Sequence, residues 1–249
     1  LCARGGRVAP RIMRVVYIED GQALKECCIA LKQSKLIALD TEFESKRSGT
    51  TLAIIQVSDG QTCFVIDVLA LKSLNDFSSV ITAPNITWIV HAGRQDLDLI
   101  SQISEGHRPK QVFDTQVAWG LVSPEYQVGL AYLVARVCGQ RLSKNHQNDQ
   151  WLERPLSAEQ IHYAADDVRY LHEIYHQLSE KLTHLEKNKF IFEACDENLK
   201  PAIRRSQPIT LASYRNLWQL DGHQRQALRF LIKWYSTQDV TMRKRIVHH

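Results

Sequence analysis

The stretch Leu36-Ile37-Ala38-Leu39-Asp40-Thr41-Glu42-Phe43 limits what this chain can fold into more than any other. It is an apolar run, which predicts a strand with a buried end, and it finishes in two carboxylates spaced two residues apart. Alternate side chains of a strand share a face, so Asp40 and Glu42 project together, with Leu36 and Ala38 behind them on the same side. Two acids held side by side repel. A hard divalent cation makes such a pair tolerable, because Mg²⁺ prefers carboxylate oxygen and keeps open positions for water and phosphate. Alone, an Asp-x-Glu pair equally describes a turn cap next to a solvated acid, so the motif gains meaning only if further acids converge on it.

The flanking sequence places this strand in a sheet. Residues 51–58 and 61–68 read as strands separated by Asp59-Gly60, a strong two-residue hairpin signal, so the three form an antiparallel meander. Residues 44–50, with Lys46 and Arg47, read as a polar loop between the first two. Upstream, residues 15–18 read as a short strand, and Asp20-Gly21 opens a helix carrying Leu24, Cys27, Cys28 and Leu31 at i, i+3, i+4, i+7. Downstream, a helix near 71–81 and a strand at 87–90 begin an alternation of α and β, which makes the sheet mixed. The strand at 87–90 runs into His91-Ala92-Gly93-Arg94-Gln95-Asp96, which puts Asp96 in the first turn of a helix. That is where α/β sheets place ligands, although an acid there also simply favours the helix dipole. Residues 112–115 read as a fifth strand or a strand-to-helix entry, and 128–138 as another helix.

Arg154-Pro155-Leu156 breaks the chain before Ser157, which caps a helix expected to run from 158 to 184. At about 100° per residue, Ala164, Val168, Leu171, Tyr175, Leu178 and Leu182 form one apolar stripe. Asp167 falls about 60° from the centre of that stripe and Asp166 about 160° away, on the side expected to face solvent, while Tyr163 sits one turn before Asp167. Asp167 is therefore the inward acid, and a desolvated carboxylate needs a partner, which an arginine or lysine supplies as well as a metal. Four acids (Asp40, Glu42, Asp96, Asp167) and the Tyr163 phenol then converge from two strand ends and two helices. Such a set suits phosphodiester hydrolysis with two divalent cations about 3.5–4 Å apart, with Tyr163 orienting the attacking water.

Charge is distributed unevenly along the 249 residues. Residues 15–186 hold 15 Lys/Arg against 22 Asp/Glu, whereas 187–249 hold 12 against 5. An acidic body suits a carboxylate metal site and a basic tail suits a polyanionic partner, although such surface cations also serve only solubility. The stretch has no run of about 18 apolar residues, so no membrane-spanning helix is expected. The six cysteines lack Cys-x-x-Cys spacing, which points to free thiols in a reducing, cytoplasmic setting. Residues 1–12, Arg-rich and acid-free, read as a leader or as foreign sequence ahead of a natural start at Met13. Residues 187–207 read as a linker, and 208–249 as a second helical unit carrying Leu217, Trp218, Leu228, Leu231 and Trp234.

The ordered set Leu-Asp-Thr-Glu-Phe (39–43), His-Ala-Gly-x-x-Asp (91–96) and Tyr-Ala-Ala-x-Asp (163–167) resembles the DEDDy branch of 3′-5′ exonucleases, most closely the ribonuclease D family. Phe113-Asp114-Thr115-Gln116, the Trp151–Leu156 segment and Leu217-Trp218-Gln219-Leu220 extend the resemblance over about residues 13–235. It implies a ribonuclease-H-like mixed sheet flanked by helices over 13–186, followed by a small all-α unit resembling about half of a helicase-and-RNaseD C-terminal (HRDC) domain. It further implies Asp40, Glu42, Asp96 and Asp167 as ligands of two Mg²⁺ or Mn²⁺ ions and Tyr163 as the water-orienting residue. Phe43 and His91 would lie beside the terminal nucleotides, and the partners would be RNA 3′ ends, tRNA precursors among them. The family has Asp directly before the tryptophan, where this chain has Gln150 with Asp149 one position earlier. A DNA exonuclease of the same fold and an inactive nucleic-acid-binding scaffold are the alternatives.

Overall fold

The computed structural model describes residues 13–46, 49–125, 127–142, 149–200, 211 and 220–237. The expected leader (1–12), Arg47, the Leu217–Gln219 part of the second unit and the terminal Arg243-Lys244-Arg245 lie outside these residues. The chain divides into two compact units, Leu1–Pro201 and Ala202–His249.

The first unit is built on six strands: β1 (Arg14–Ile18), β2 (Leu36–Lys46), β3 (Gly49–Ser58), β4 (Thr62–Asp67), β5 (Thr87–Val90) and β6 (Gln111–Asp114). Their order across the sheet is β1-β4-β3-β2-β5-β6. The meander β2-β3-β4 is antiparallel, and β1, β5 and β6 pair parallel to their neighbours, so the sheet is mixed as expected. Strands β2 and β3 occupy its centre, where Ile37, Ala38, Ile54, Ile55 and Val57 have no exposed surface. Of the segment expected as a polar loop at 44–50, residues 44–46 and 49–50 instead prolong the hairpin: β2 runs to Lys46, and a bulge between Glu42 and Phe43 absorbs one register step. Such a bulge bends and twists the strand next to its acids. Between β3 and β4, Asp59 accepts from the N–H groups of Gln61 (2.8 Å) and Thr62 (2.7 Å), and Gly60 takes φ +91°, a conformation that favours glycine.

Helices α1 (Gly21–Leu31) and α2 (Asn75–Ile81) pack on each other, α1 starting where the Asp20 carboxylate accepts from the N–H groups of Gln22 and Ala23, both at 2.9 Å. Helix α3 (Arg94–Ile103) follows β5, and α4 (Thr115–Val122) and α5 (Leu130–Val137) follow β6. The helix expected over 158–184 is two helices, α6 (Ala158–Arg169) and α7 (Leu171–His184), which meet at Tyr170. The apolar stripe changes partner there. Helix α6 lies over β1 to β4, whereas α7 packs on α4 and α5 as well as on β2 and β5. A reciprocal capping box starts α6: Ser157 Oγ accepts from the Gln160 N–H (3.1 Å) and Gln160 Oε1 from the Ser157 N–H (2.9 Å).

The expected linker at 187–207 is corrected over its first part. Residues Ile191–Leu199 form α8, with Ile191, Cys195 and Leu199 buried against β6, α4 and α3. Three apolar positions at i, i+4 and i+8 make one helical face, which the polar composition around them obscures in the sequence. In the second unit, α9 (Gly222–Thr237) begins with Asp221 and Gln224 capping each other, and its Phe230, Leu231 and Trp234 are exposed.

One buried polar hub fastens the segment that precedes α6. The Asp67 carboxylate, 1% exposed, accepts from Arg154 Nε (2.5 Å) and Nη2 (2.7 Å), from the Tyr17 hydroxyl and from the N–H groups of Leu69 and Ala70. Burial alone would raise the Asp67 pKa, but the Arg154 and Tyr17 donors prevail and hold it below the usual carboxylate range. Arg154→Ala strands this charge, and we expect it to cost about 3 kcal/mol, the low end for a buried pair since Arg154 is partly exposed. Because the folded-state pKa is lowered, the stabilisation is present at neutral pH and is lost as pH falls below about 4. Urea melts of both proteins at neutral and acid pH check this, and a variant as stable as its parent at pH 7 overturns it.

Candidate metal centre

Strand β2 carries Asp40 and Glu42 on one face, opposite Gln56 and Ile54 of β3. Helix α6 crosses above and lowers Asp167 onto them. One carboxylate oxygen from each of Asp40, Glu42 and Asp167 falls within a sphere of contacts no longer than 4.8 Å. Among the described residues, no lysine or arginine forms an ion pair with these three acids, the alternative that the sequence left open for the inward acid of α6.

The three carboxylates also hold protons unusually tightly. Burial, then the negative charges of Asp96, Asp167 and Glu42, push the Asp40 pKa well above normal. Burial and the neighbouring Asp167, Asp96 and Asp149 raise Glu42 to about 8, and burial and Asp166 raise Asp167 to about 7. Half-buried, mutually repelling, oxygen-only ligands of this kind suit a hard divalent cation such as Mg²⁺ or Mn²⁺. Metal-free protein should then lose stability as pH rises from about 5 to about 8. The raised folded-state pKa values stabilise the fold only while the acids keep their protons. Mg²⁺ should restore the melting temperature by an increment that grows with pH, because binding displaces those protons. Thermal melts across that range with and without Mg²⁺ read both slopes, and a pH-independent increment counts against the cluster as a metal site.

Asp96 stands apart from this triad. Strand β2 pairs with β5 only as far as Ala38 opposite Ile89, so beyond Ala38 the β5-side edge of β2 is open. The turn after β5 sends α3 towards that edge, and Asp96, 9% exposed, accepts a hydrogen bond there from the Thr41 hydroxyl. The turn itself is tightly made. Ala92 has φ +53°, and a Cβ on Gly93 would lie 2.6 Å from Val90, so glycine is required. The buried Asp114 carboxylate clamps it by accepting from the N–H groups of Ala92 and Gly93, both at 3.0 Å.

Tyr163 lies one turn before Asp167, its ring tilted 34° to that of Trp151 with centroids 6.2 Å apart. Burial and the charges of Asp167, Glu42, Asp40 and Asp149 raise its phenol pKa far above 10, so it stays protonated and acts as a donor. His91 is differently engaged. Its Nδ1 lies 2.9 Å from Thr115 Oγ1 and its Nε2 3.0 Å from the Val128 carbonyl, so both nitrogens are spent within the fold. Phe43 is half-buried and packs on the core just past the bulge.

Asp166 departs from expectation. It is half-buried, with its carboxylate 2.7 Å from Arg169 Nε, and burial raises its pKa. Helical phase places a residue on a face of α6 but does not show that Arg169, one turn on, lies against the Asp166 carboxylate. Three further neighbours are assigned no role at the acids from sequence. Asp149 adds negative potential at Glu42 and Tyr163; Gln56, directly across from Asp40, is fully buried with no hydrogen bond to its amide; and Glu44 accepts from the Leu152 N–H (3.1 Å), tying the Trp151 segment to β2. Only the displaced acid before Trp151 carried a signal.

A 3′-5′ exonuclease family model matches residues 15–183. The chain is 33% identical to ribonuclease D of Shewanella sp. over 222 residues (88% of this chain, 56% of that protein) and 31% identical to ribonuclease D of Escherichia coli over 227 residues (89% and 60%). It thus spans somewhat more than half the length of these curated relatives. Its fold matches the crystal structure of E. coli RNase D, described as an exoribonuclease involved in structured RNA processing, with TM-score 0.70 and 31% identity over 90% of this chain and 60% of that one. Brucella melitensis NrnC bound to pGG matches with TM-score 0.64 and 28% identity, covering 76% of this chain and 90% of that one. The mixed sheet with acids at its strand ends, the family match and these relatives together show that the chain belongs to the ribonuclease D family of 3′-5′ exonucleases.

Proposed function

We propose that this protein is a metal-dependent 3′-5′ exoribonuclease that removes 5′-mononucleotides from RNA 3′ ends. The observation that carries the reading is the half-buried Asp40/Glu42/Asp167 triad, which forms no ion pair with a lysine or arginine among the described residues, set beside a phenol that stays protonated. Two divalent cations, Mg²⁺ or Mn²⁺, would supply a water ionised near neutral pH and a charge opposite the leaving oxygen. Asp40, Glu42, Asp96 and Asp167 are the residues assigned to hold them. Tyr163 donates a hydrogen bond that orients the attacking oxygen, while its ring rests on Trp151. Water adds to the terminal phosphorus, the 3′ oxygen of the preceding nucleotide leaves, and the phosphate stays on the released nucleotide.

The E. coli relative, an exoribonuclease involved in structured RNA processing, supports structured RNA as the substrate class, within which we propose tRNA precursors. Residues 13–186 would form the core of the exonuclease domain, extended by α8, and 208–249 an HRDC-like unit whose basic residues add phosphate attraction. Phe43 is placed beside the terminal nucleotide. His91 would act there through the Val128 segment that it holds. The free thiols of Cys27, Cys28, Cys63, Cys138 and Cys195 fit a reducing cytoplasm. Among the described residues, no helix is long and apolar enough to cross a membrane.

The test uses 5′-end-labelled single-stranded RNA, a hairpin RNA with a 3′ tail, and DNA of the same sequence, each with Mg²⁺, Mn²⁺ or EDTA. The reading expects RNA ladders that shorten from the 3′ end with either cation and not with EDTA. Equal or faster shortening of DNA favours the DNA exonuclease, and intact RNA that stays bound favours the inactive scaffold.

A further inference from the structure

We propose that Thr41 is the positioning residue for Asp96, its hydroxyl holding one carboxylate oxygen so that the other points at the cation shared with the triad. The inference rests on the metal-dependent reading above. Asp96 reaches the centre from a different element and a different side than Asp40, Glu42 and Asp167, and it lies outside their 4.8 Å cluster. A carboxylate that turns about two single bonds needs an anchor to serve as a fixed ligand. The β2–β5 ladder has stopped at Ala38 opposite Ile89, so no strand pairing reaches this point. Asp114 secures the backbone of the turn through Ala92 and Gly93, and the backbone N–H groups of Asp96 and Thr41 favour the charged Asp96 carboxylate, but the side-chain donor that fixes it is the Thr41 hydroxyl.

Thr41 fills that role. Lying between Asp40 and Glu42 in β2, it points to the other face of the strand, is 5% exposed, and gives its hydroxyl proton to Asp96 Oδ1. This is the side-chain hydrogen bond that Asp96 makes among the described residues. Because a hydroxyl spends its one proton on Oδ1, Oδ2 remains available to a cation. The central residue of the Asp-Thr-Glu motif thereby ties the acid brought by α3 to the two acids carried by β2. Hydrogen-bond partners that orient a ligand commonly account for about 10- to 100-fold in metal affinity.

The experiment compares Mn²⁺ binding, by calorimetric titration and by counting bound ions with electron paramagnetic resonance, in the parent protein, Thr41→Val and Thr41→Ser. Thr41→Val keeps the branched shape and removes the donor; Thr41→Ser keeps the donor. The expected result is two ions in the parent and in Thr41→Ser, with one of the two bound about 10- to 100-fold more weakly in Thr41→Val. RNA hydrolysis by Thr41→Val should fall in step and recover at high Mn²⁺. Identical Mn²⁺ titrations for the parent and Thr41→Val overturn the inference, and so does Thr41→Ser binding as weakly as Thr41→Val. If Thr41→Val does not fold by circular dichroism, Thr41→Ala against Thr41→Ser decides in the same way. A parent protein that binds two ions and hydrolyses no RNA defeats the exoribonuclease reading, and the binding comparison still decides the role of Thr41.

Discussion

Asp167→Asn is expected to abolish cation-dependent RNA hydrolysis while making the metal-free protein more stable. The two effects share a cause. Burial and Asp166 raise the Asp167 pKa to about 7, so above neutral pH its charge sits in a site that disfavours it. A neutral amide of the same shape removes that penalty, a gain on the order of 1–3 kcal/mol at pH 8. The amide also removes one of three carboxylates whose oxygens converge within 4.8 Å, and no other acid on α6 can reach the place. Asp166→Asn is the comparator. It breaks the half-exposed pair with Arg169, at a cost of at most about 1 kcal/mol, and should leave turnover close to the parent's. Urea melts without metal and single-turnover hydrolysis with Mg²⁺, run on both variants, give four numbers. Turnover surviving in Asp167→Asn, or Asp166→Asn proving equally damaging, sinks the assignment of the inward acid.

Tyr163→Phe is expected to lower the rate by roughly 10²- to 10⁴-fold, the range associated with a positioned proton-transfer group, with RNA affinity unchanged. The phenol is a poor base here. Burial and the charges of Asp167, Glu42, Asp40 and Asp149 all favour its protonated form, so its contribution is a directed hydrogen bond. Phenylalanine keeps the ring that leans on Trp151 and loses only the hydroxyl. Binding measured in Ca²⁺ and single-turnover rates measured in Mg²⁺ separate the two contributions. A normal rate makes the hydroxyl structural, and a loss confined to affinity assigns it to substrate binding. Over the pH range in which the phenol remains protonated, the residual pH dependence should be the same in both proteins.

Much of this molecule is readable from local pattern, because local geometry has a period. Strand alternation puts Asp40 and Glu42 on one face without reference to any other element, and the meander follows from three strand-like runs and the Asp59-Gly60 turn. Helical phase turns Asp167 inward from the spacing of Ala164, Val168 and Leu171. The strand at Thr87–Val90 and the first-turn position of Asp96 are likewise set by residues next to them in the chain.

What the period of one element cannot specify is which elements meet, and there the tertiary structure decided. The helix divides at Tyr170, where α6 on β1 to β4 gives way to α7 on α4 and α5 as well as β2 and β5, and Asp166 is half-buried beside Arg169. Residues 191–199 join the first unit because β6, α3 and α4 offer a surface for three apolar side chains. Arg154 and Asp67 lie 87 positions apart in the chain, and Asp96 and Thr41 lie 55 apart. Neither contact has a signature in composition or spacing. The sequence alone determined the acids and the faces they occupy, through backbone periodicity. The fold alone determined that three of them crowd together while the fourth is held on a threonine, because burial and hydrogen-bond partnership arise only when distant segments pack.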